Sequence, residues 1–82
     1  MYTVLIVDDE EPVLESYSFI IEHDATGFAL AGKARNGNEA VSKIYEIRPD
    51  VVFMDINMPG LDGLEVISRV HDDFPHTVFI LS

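Results

Sequence analysis

The sequence predicts an α/β domain built on a parallel, doubly wound sheet. Two observations carry that prediction. Short apolar runs alternate along the whole chain with stretches of helical periodicity, the pattern of strands joined by crossover helices. Two of those runs also end in carboxylates: Asp8-Asp9-Glu10 closes Val4-Leu5-Ile6-Val7, and Asp55 closes Val51-Val52-Phe53-Met54.

The first strand is Tyr2 to Val7. It is apolar without alternation, which suits a central strand covered on both faces. Pro12, with Glu10 and Glu11 beside it, opens a helix, because proline and acids are both favoured in a first turn. Val13, Leu14, Tyr17, Ile20 and Ile21 repeat at helical spacing, with Glu15, Ser18 and Glu22 assigned to the outer side. Asp24 to Gly27 is the stop. Phe28 to Arg35 forms a second strand whose weak alternation and two bases suit a sheet edge. Asn36 caps the next helix, with Glu39 as its reciprocal partner. Ala40, Val41, Ile44 and Ile47 form that helix's apolar stripe, and Arg48-Pro49-Asp50 ends it, since a residue before proline is pushed out of the α region.

Val51 to Met54 is a third strand, continuous and of buried type. After the Met58-Pro59-Gly60 loop, Asp62 and Glu65 have capping-box spacing. Leu64, Ile67 and Val70 are the expected buried stripe of the third helix. Phe74-Pro75-His76 breaks it, Thr77 to Leu81 is a fourth strand, and Ser82 comes last. Parallel crossovers are right-handed. The flavodoxin-like strand order, 2-1-3-4 here, sets the third strand beside the first and the ligand at the strands' carboxyl ends. Asp55 is then brought next to Asp8 and Asp9.

The 82 residues suffice for one small domain, 1–82. Fifteen acids against five bases give a net charge of -10, which argues against direct binding to nucleic acid or an anionic membrane surface. With no cysteine, disulfides and thiolate metal sites are excluded. The N-terminal apolar run is too short for a signal peptide, and no run approaches membrane-spanning length. A cytoplasmic location is expected.

Three carboxylates in one crevice repel one another, so a cation must offset them or one must take up a proton. Mg2+ suits the set: it takes oxygen ligands, one or two carboxylates with waters and a phosphate oxygen. Beside it, a free carboxylate oxygen can act as nucleophile toward a phosphoryl group. A single Asp at a strand end is commonly only a cap or turn former. The specific signal is the combination of two acids after one buried strand and a third after its neighbour. Glu10, Glu11 and Asp62 serve as helix-start groups, and Asp72 and Asp73 as solvated helix-end groups. His23, His71 and His76 lack metal-binding spacing, and no Gly-rich phosphate motif or nucleophile elbow is present.

At these residues the chain resembles the receiver domain of two-component response regulators. Val4 to Glu10 is similar to that family's first strand and acidic pair. Asp50 to Leu64 is similar to its phosphoacceptor strand and loop, and Ala34 to Ala40 to its second helix entry. The resemblance implies phosphorylation of Asp55, with Mg2+ held by Asp8, Asp9, Asp55 and the backbone carbonyl of Asn57. Ser82 matches the hydroxyl residue that hydrogen-bonds the phosphoryl group and takes part in the switch. It implies a sensor histidine kinase as donor, a switch rather than an enzyme, and, from the Gly27 to Ala40 region, similarity to receivers attached to transcription factors.

The pattern departs from the family at its end. The fifth strand with its lysine, the last two helices and an output domain have no counterpart in these 82 residues. The expectation is an incomplete receiver in which Mg2+ binding survives while phosphorylation or its readout is impaired. The fourth strand is expected to present an apolar edge open to pairing with a second copy. Two other readings remain open. One is a Mg2+-dependent phosphohydrolase with an aspartate nucleophile, which Asp55-Ile56-Asn57 imitates with Asn57 where the second acid belongs. The other is an interaction module that uses the sheet edge without phosphoryl chemistry.

Overall fold

Each apolar run becomes a strand and each periodic stretch a helix in a computed structural model describing residues 1–82. The elements are β1 (Tyr2–Val7), α1 (Glu11–His23), β2 (Phe28–Ala34), α2 (Gly37–Ile47), β3 (Val51–Met54), α3 (Gly63–Val70) and β4 (Val78–Leu81). The strands form one parallel sheet in the order β2-β1-β3-β4, as the sequence predicts. β1 lies inside the sheet, and Val4 to Val7 are buried on both faces.

The two faces are unequally filled. On one, α2 and α3 bring Ala40, Ile44, Val66 and Val70 against Leu5, Val7, Val52 and Met54 in a cluster of 12 buried residues. On the other, α1 sets Leu14 on Val4 and Ile6, with Tyr17, Ile21, Leu30 and Val51 around them. Full burial of a side chain such as Ile44 is worth about 1.5–3 kcal/mol, more than the ~1 kcal/mol of a good helix cap. Packing rather than capping therefore holds the helices. Beyond the reach of α1, Tyr2, Phe28, Val51, Val78 and Ile80 line a shallow apolar cavity of about 450 Å³.

Several local expectations change. Ser18, assigned to the outer face of α1, is buried, and its hydroxyl donates to the Leu14 carbonyl at 2.6 Å, so the polar group is satisfied within the helix. Ile20, assigned to the inner face, is exposed. The buried stripe of α3 is Gly63, Val66 and Val70, not Leu64, which is 56% exposed. Gly63 contributes no hydrophobic signal, yet it fixes which face turns inward. Asn36 and Asp62 cap α2 and α3 by accepting from the amides of Glu39 and Glu65 at 2.8 and 3.0 Å. The reciprocal half of each capping box is not formed. Arg48 ends α2 in the left-handed region (φ 53°), where the proline rule favours extended backbone.

The weak alternation of β2 has a structural cause. Its register with β1 slips between Val4 and Leu5, so Ala31 is an extra residue on the β2 side. Leu30 consequently packs with α1, whereas a side chain at Gly32 would meet Ile47 of α2. Two residues apart in sequence, they face opposite layers. β2 stops at Ala34, one residue short of the expected end, and β4 starts at Val78 because the Thr77 hydroxyl is bonded to the Pro49 carbonyl at 3.0 Å.

The N-terminus of α2 abuts the loop after β3. A Cβ on Gly37 would clash with the Leu61 carbonyl oxygen. Replacing glycine by alanine in an open helix gains about 0.5–1 kcal/mol, but overpacking against backbone costs about 1–3 kcal/mol. Gly37→Ala is therefore predicted to destabilise the domain by up to ~2.5 kcal/mol, the upper difference of those terms, in urea denaturation. In the same measurement Ile44→Ala costs about 2–5 kcal/mol, whereas Leu64→Ala stays within about 0.5 kcal/mol of the parent.

Candidate acidic site at the carboxyl edge of the sheet

The β1–β3 register pairs Val7 with Met54, so the residues that follow, Asp8 and Asp55, leave the sheet side by side. Two backbone bonds carry that alignment past the strand ends. The Asp55 amide donates to the Val7 carbonyl at 3.0 Å, and the Asp8 amide to the Ala34 carbonyl at 3.1 Å. Asp8, Asp9 and Asp55 each offer a carboxylate oxygen, and the three lie within 4.8 Å of one another. Asp8 is buried, Asp55 half-buried and Asp9 exposed.

Turn chemistry occupies one oxygen on two of these groups. Asp8 Oδ1 accepts from the Glu10 amide at 2.9 Å, and Asp55 Oδ1 from the Asn57 amide at 3.0 Å. Both are Asx-type contacts two residues on, which hold the carboxylate plane and leave the second oxygen available. Asp9 makes no side-chain hydrogen bond. No base neutralises the cluster, because the ion pairs of the chain are Arg35–Glu11 and His71–Asp72. The donor set is all hard oxygen. Two ligands on one Mg2+ lie no more than about 4.2 Å apart, twice the ~2.1 Å bond. Among three octahedral ligands at most one pair is trans, and cis pairs lie about 3.0 Å apart, so oxygens within 4.8 Å of one another reach one ion by side-chain rotation or through bridging water.

The segment after Asp55 is pinned from several sides. The Ile56 amide donates to the Ser82 carbonyl at 3.2 Å, and the Gly63 amide to the Ile56 carbonyl at 3.2 Å. A Cβ on Gly63 would come within 3.1 Å of the Asp55 carbonyl oxygen and of Ile56 Cα, so glycine allows α3 to start against the site. Met58 and Leu61 drop into the larger core, anchoring the loop from below. Gly60 supplies the positive φ (78°) that lets the chain turn between them. Ser82 lies beside the β3 end through its backbone, with its hydroxyl unbonded. The Asn57 carbonyl accepts no backbone hydrogen bond.

The sequence reading missed Leu61 as an anchor, although an apolar residue between Gly60 and Asp62 is a signal of it. It also missed the Glu11–Arg35 pair. Glu11 opens α1, and Arg35 grips it with Nε to Oε2 at 2.8 Å and Nη2 to Oε1 at 3.1 Å. That bonding holds the Glu11 carboxyl below its ordinary range, and reciprocally raises Arg35. Glu10 occupies the cap position of α1 but makes no side-chain cap bond. The histidines stay away from the site. His23 stacks on Phe19, His71 pairs with Asp72, and His76 borders the apolar cavity at the opposite end of the sheet. Asp73 is engaged, accepting from the Tyr45 hydroxyl at 2.6 Å.

The sequence and fold are similar to known proteins across the chain. The family model for the response regulator receiver domain matches residues 4–82. A transcriptional regulatory protein of Bacillus subtilis, YesN, is 44% identical over 81 residues, covering 99% of this chain and 22% of that protein. A protein-glutamate methylesterase/protein-glutamine glutaminase of Syntrophomonas wolfei is 44% identical over 79 residues, covering 96% of this chain and 22% of the enzyme. The chain thus spans about a fifth of the length of these relatives. Among solved structures, the response regulator domain of Thermotoga maritima CheB superposes with a TM-score of 0.90 at 36% identity, over 99% of this chain and 59% of that one.

Proposed function

This chain belongs to the response regulator receiver family, and on that premise we propose that Asp55 is its phosphoacceptor. Mg2+ would be held by Asp8, Asp9, Asp55 and the backbone carbonyl of Asn57. The observation that carries the reading is the convergence of three carboxylates, unpaired with any base, within 4.8 Å. Bound there, Mg2+ supplies charge neutralisation for the phosphoryl oxygens.

The residues of the chain supply the rest. Asp55 Oδ1 accepts from the Asn57 amide and keeps a second lone pair that would face the metal, so its other oxygen is the nucleophile. That oxygen forms a bond to phosphorus while the phosphorus–nitrogen bond of a phosphohistidine breaks. The electron pair stays on the imidazole nitrogen of the donor, a sensor histidine kinase, and is protonated from solvent. The Ser82 hydroxyl donates a hydrogen bond to the transferred group, a reading supported by the Ser82 amide being bonded to the Met54 carbonyl, next to Asp55. The aspartyl phosphate adds negative charge to an already acidic crevice, the kind of local change that biases a two-state element. The chain therefore acts as a cytoplasmic switch rather than a turnover catalyst. By analogy with the regulatory relative, its output is control of transcription, exerted outside residues 1–82, whose net charge of -10 disfavours nucleic acid. No helix is long and apolar enough to cross a membrane. The β4 edge, with Val78 and Ile80 exposed, is the surface proposed for pairing with a second copy. A mass that rises with concentration in light scattering checks it.

Two measurements test the site. Mn2+ titrated by electron paramagnetic resonance, with Mg2+ as competitor, is expected to bind at one site, and Asp9→Asn to weaken it by at least about tenfold, the lower end of what metal-site partners cost. Incubation with phosphoramidate and Mg2+ is expected to add one phosphoryl group to a fraction of the chain by intact mass, lost in Asp55→Asn and on chelation. Labelling that persists in Asp55→Asn would refute the assignment.

A further inference from the structure

The acidic loop between β1 and α1 is anchored at both ends on one short stretch of chain. At its start, the Asp8 amide donates to the carbonyl of Ala34. At its end, Glu11 is gripped by the guanidinium of Arg35, the next residue. Between these anchors the Asp8 carboxylate is fixed by the Glu10 amide. Asp9 is exposed and has no side-chain hydrogen bond, so its place relative to Asp8 and Asp55 is set by the anchors and by the turn bond across it. α1 also lacks the side-chain cap that Asn36 gives α2 and Asp62 gives α3. The bidentate pair instead ties the first residue of the helix to the end of β2.

We propose that Arg35, acting through Glu11, is a positioning residue for the acidic site: it holds the β1–α1 loop so that Asp9 stays in ligand distance of Asp8 and Asp55. The proposal rests on the reading of that cluster as a cation site. Arg35 does not touch the cation. Its two parallel hydrogen bonds fix both the distance and the plane of the Glu11 carboxylate, which a single point charge cannot do. The pair is about half exposed, 53% and 48% for the two side chains, and pairs of that exposure add little to global stability. Its effect is therefore local to the loop.

The sign of one substitution separates this role from a simple field effect. A guanidinium near the cluster repels a dication, so if charge alone mattered, Arg35→Gln would tighten metal binding. A positioning role requires the opposite. In Mn2+ titrations of the full chain, Arg35→Gln and Glu11→Gln are each expected to weaken binding about three- to tenfold, at or below the range for direct outer-shell partners. The double variant is expected to bind no worse than either single one, because both remove the same interaction. Arg35→Lys restores part of the affinity, and the exchanged pair Glu11→Arg/Arg35→Glu restores more. The urea midpoint of each variant stays close to the parent. In metal-free protein, hydrogen exchange of the Glu10 amide speeds up in Arg35→Gln. Wild-type affinity or tighter binding in Arg35→Gln overturns the proposal alone. A parent chain that binds no Mn2+ overturns the cation reading and the proposal with it.

Discussion

The pairing of β1 with β3 is the constraint on which the rest of the site depends. A parallel strand cannot follow its neighbour through a tight turn; it needs a crossover. Here β2 and two helices intervene between Val7 and Met54 in sequence before the sheet pairs them. Once that register is set, the next residue of each strand is an aspartate, and the Asp55 amide closes on the Val7 carbonyl. A slip of one residue would turn Asp55 toward the opposite face of the sheet. The buried alternation of Val52 and Met54 on the α2–α3 side excludes that slip, because it would bring Val51 and Phe53 into space filled by Val66 and Val70. The core thus specifies the alignment of carboxylates that themselves contribute nothing to packing.

Those carboxylates work against the fold that aligns them. Like charges a few ångströms apart at a partly buried site are mutually destabilising, and the sequence supplies no lysine or arginine paired with them. What offsets them is backbone: the Glu10 and Asn57 amides on Asp8 and Asp55, together with the start of α1, whose unbonded amides favour negative charge. The loop after Asp55 is likewise fixed by backbone bonds and by burial of Met58 and Leu61 rather than by side-chain ion pairs. A site preorganised this way keeps its carboxylate oxygens free for a ligand, and any cation that binds only the folded state adds to its stability.

The fold was legible because its strongest signals are continuous. Val4 to Val7 and Val51 to Met54 are uninterrupted apolar runs, and each ends at once in acid. Those same features delivered Asp8, Asp9 and Asp55 as one site. What escaped the sequence were positions where a small or polar residue holds a core place. Val13 and Ile20 lie about 100° around α1 from Leu14 and Ile21, so the apolar arc is wider than the sheet can cover. Ser18, whose hydroxyl is satisfied by Leu14, then falls inside it. In α3, Gly63 takes an inner position and turns Leu64 outward. The bulge at Ala31 left only the weak alternation of β2, for a different reason. It depends on which strand β2 pairs with, and no local pattern records that.

The same logic explains why the Glu11–Arg35 contact could not be read in advance. Residues 24 apart in sequence meet because β2 lies beside β1, so the carboxyl end of one strand faces the helix that follows the other. Sequence periodicity reports on single elements. Contacts at the ends of neighbouring parallel strands are products of the strand order. Asp55 with Asp8 and Arg35 with Glu11 are both of that kind, one on each flank of β1. The first was recoverable because acids ending buried strands are conspicuous. An arginine after a half-buried edge strand is not conspicuous, although the sheet gives it an equally definite place.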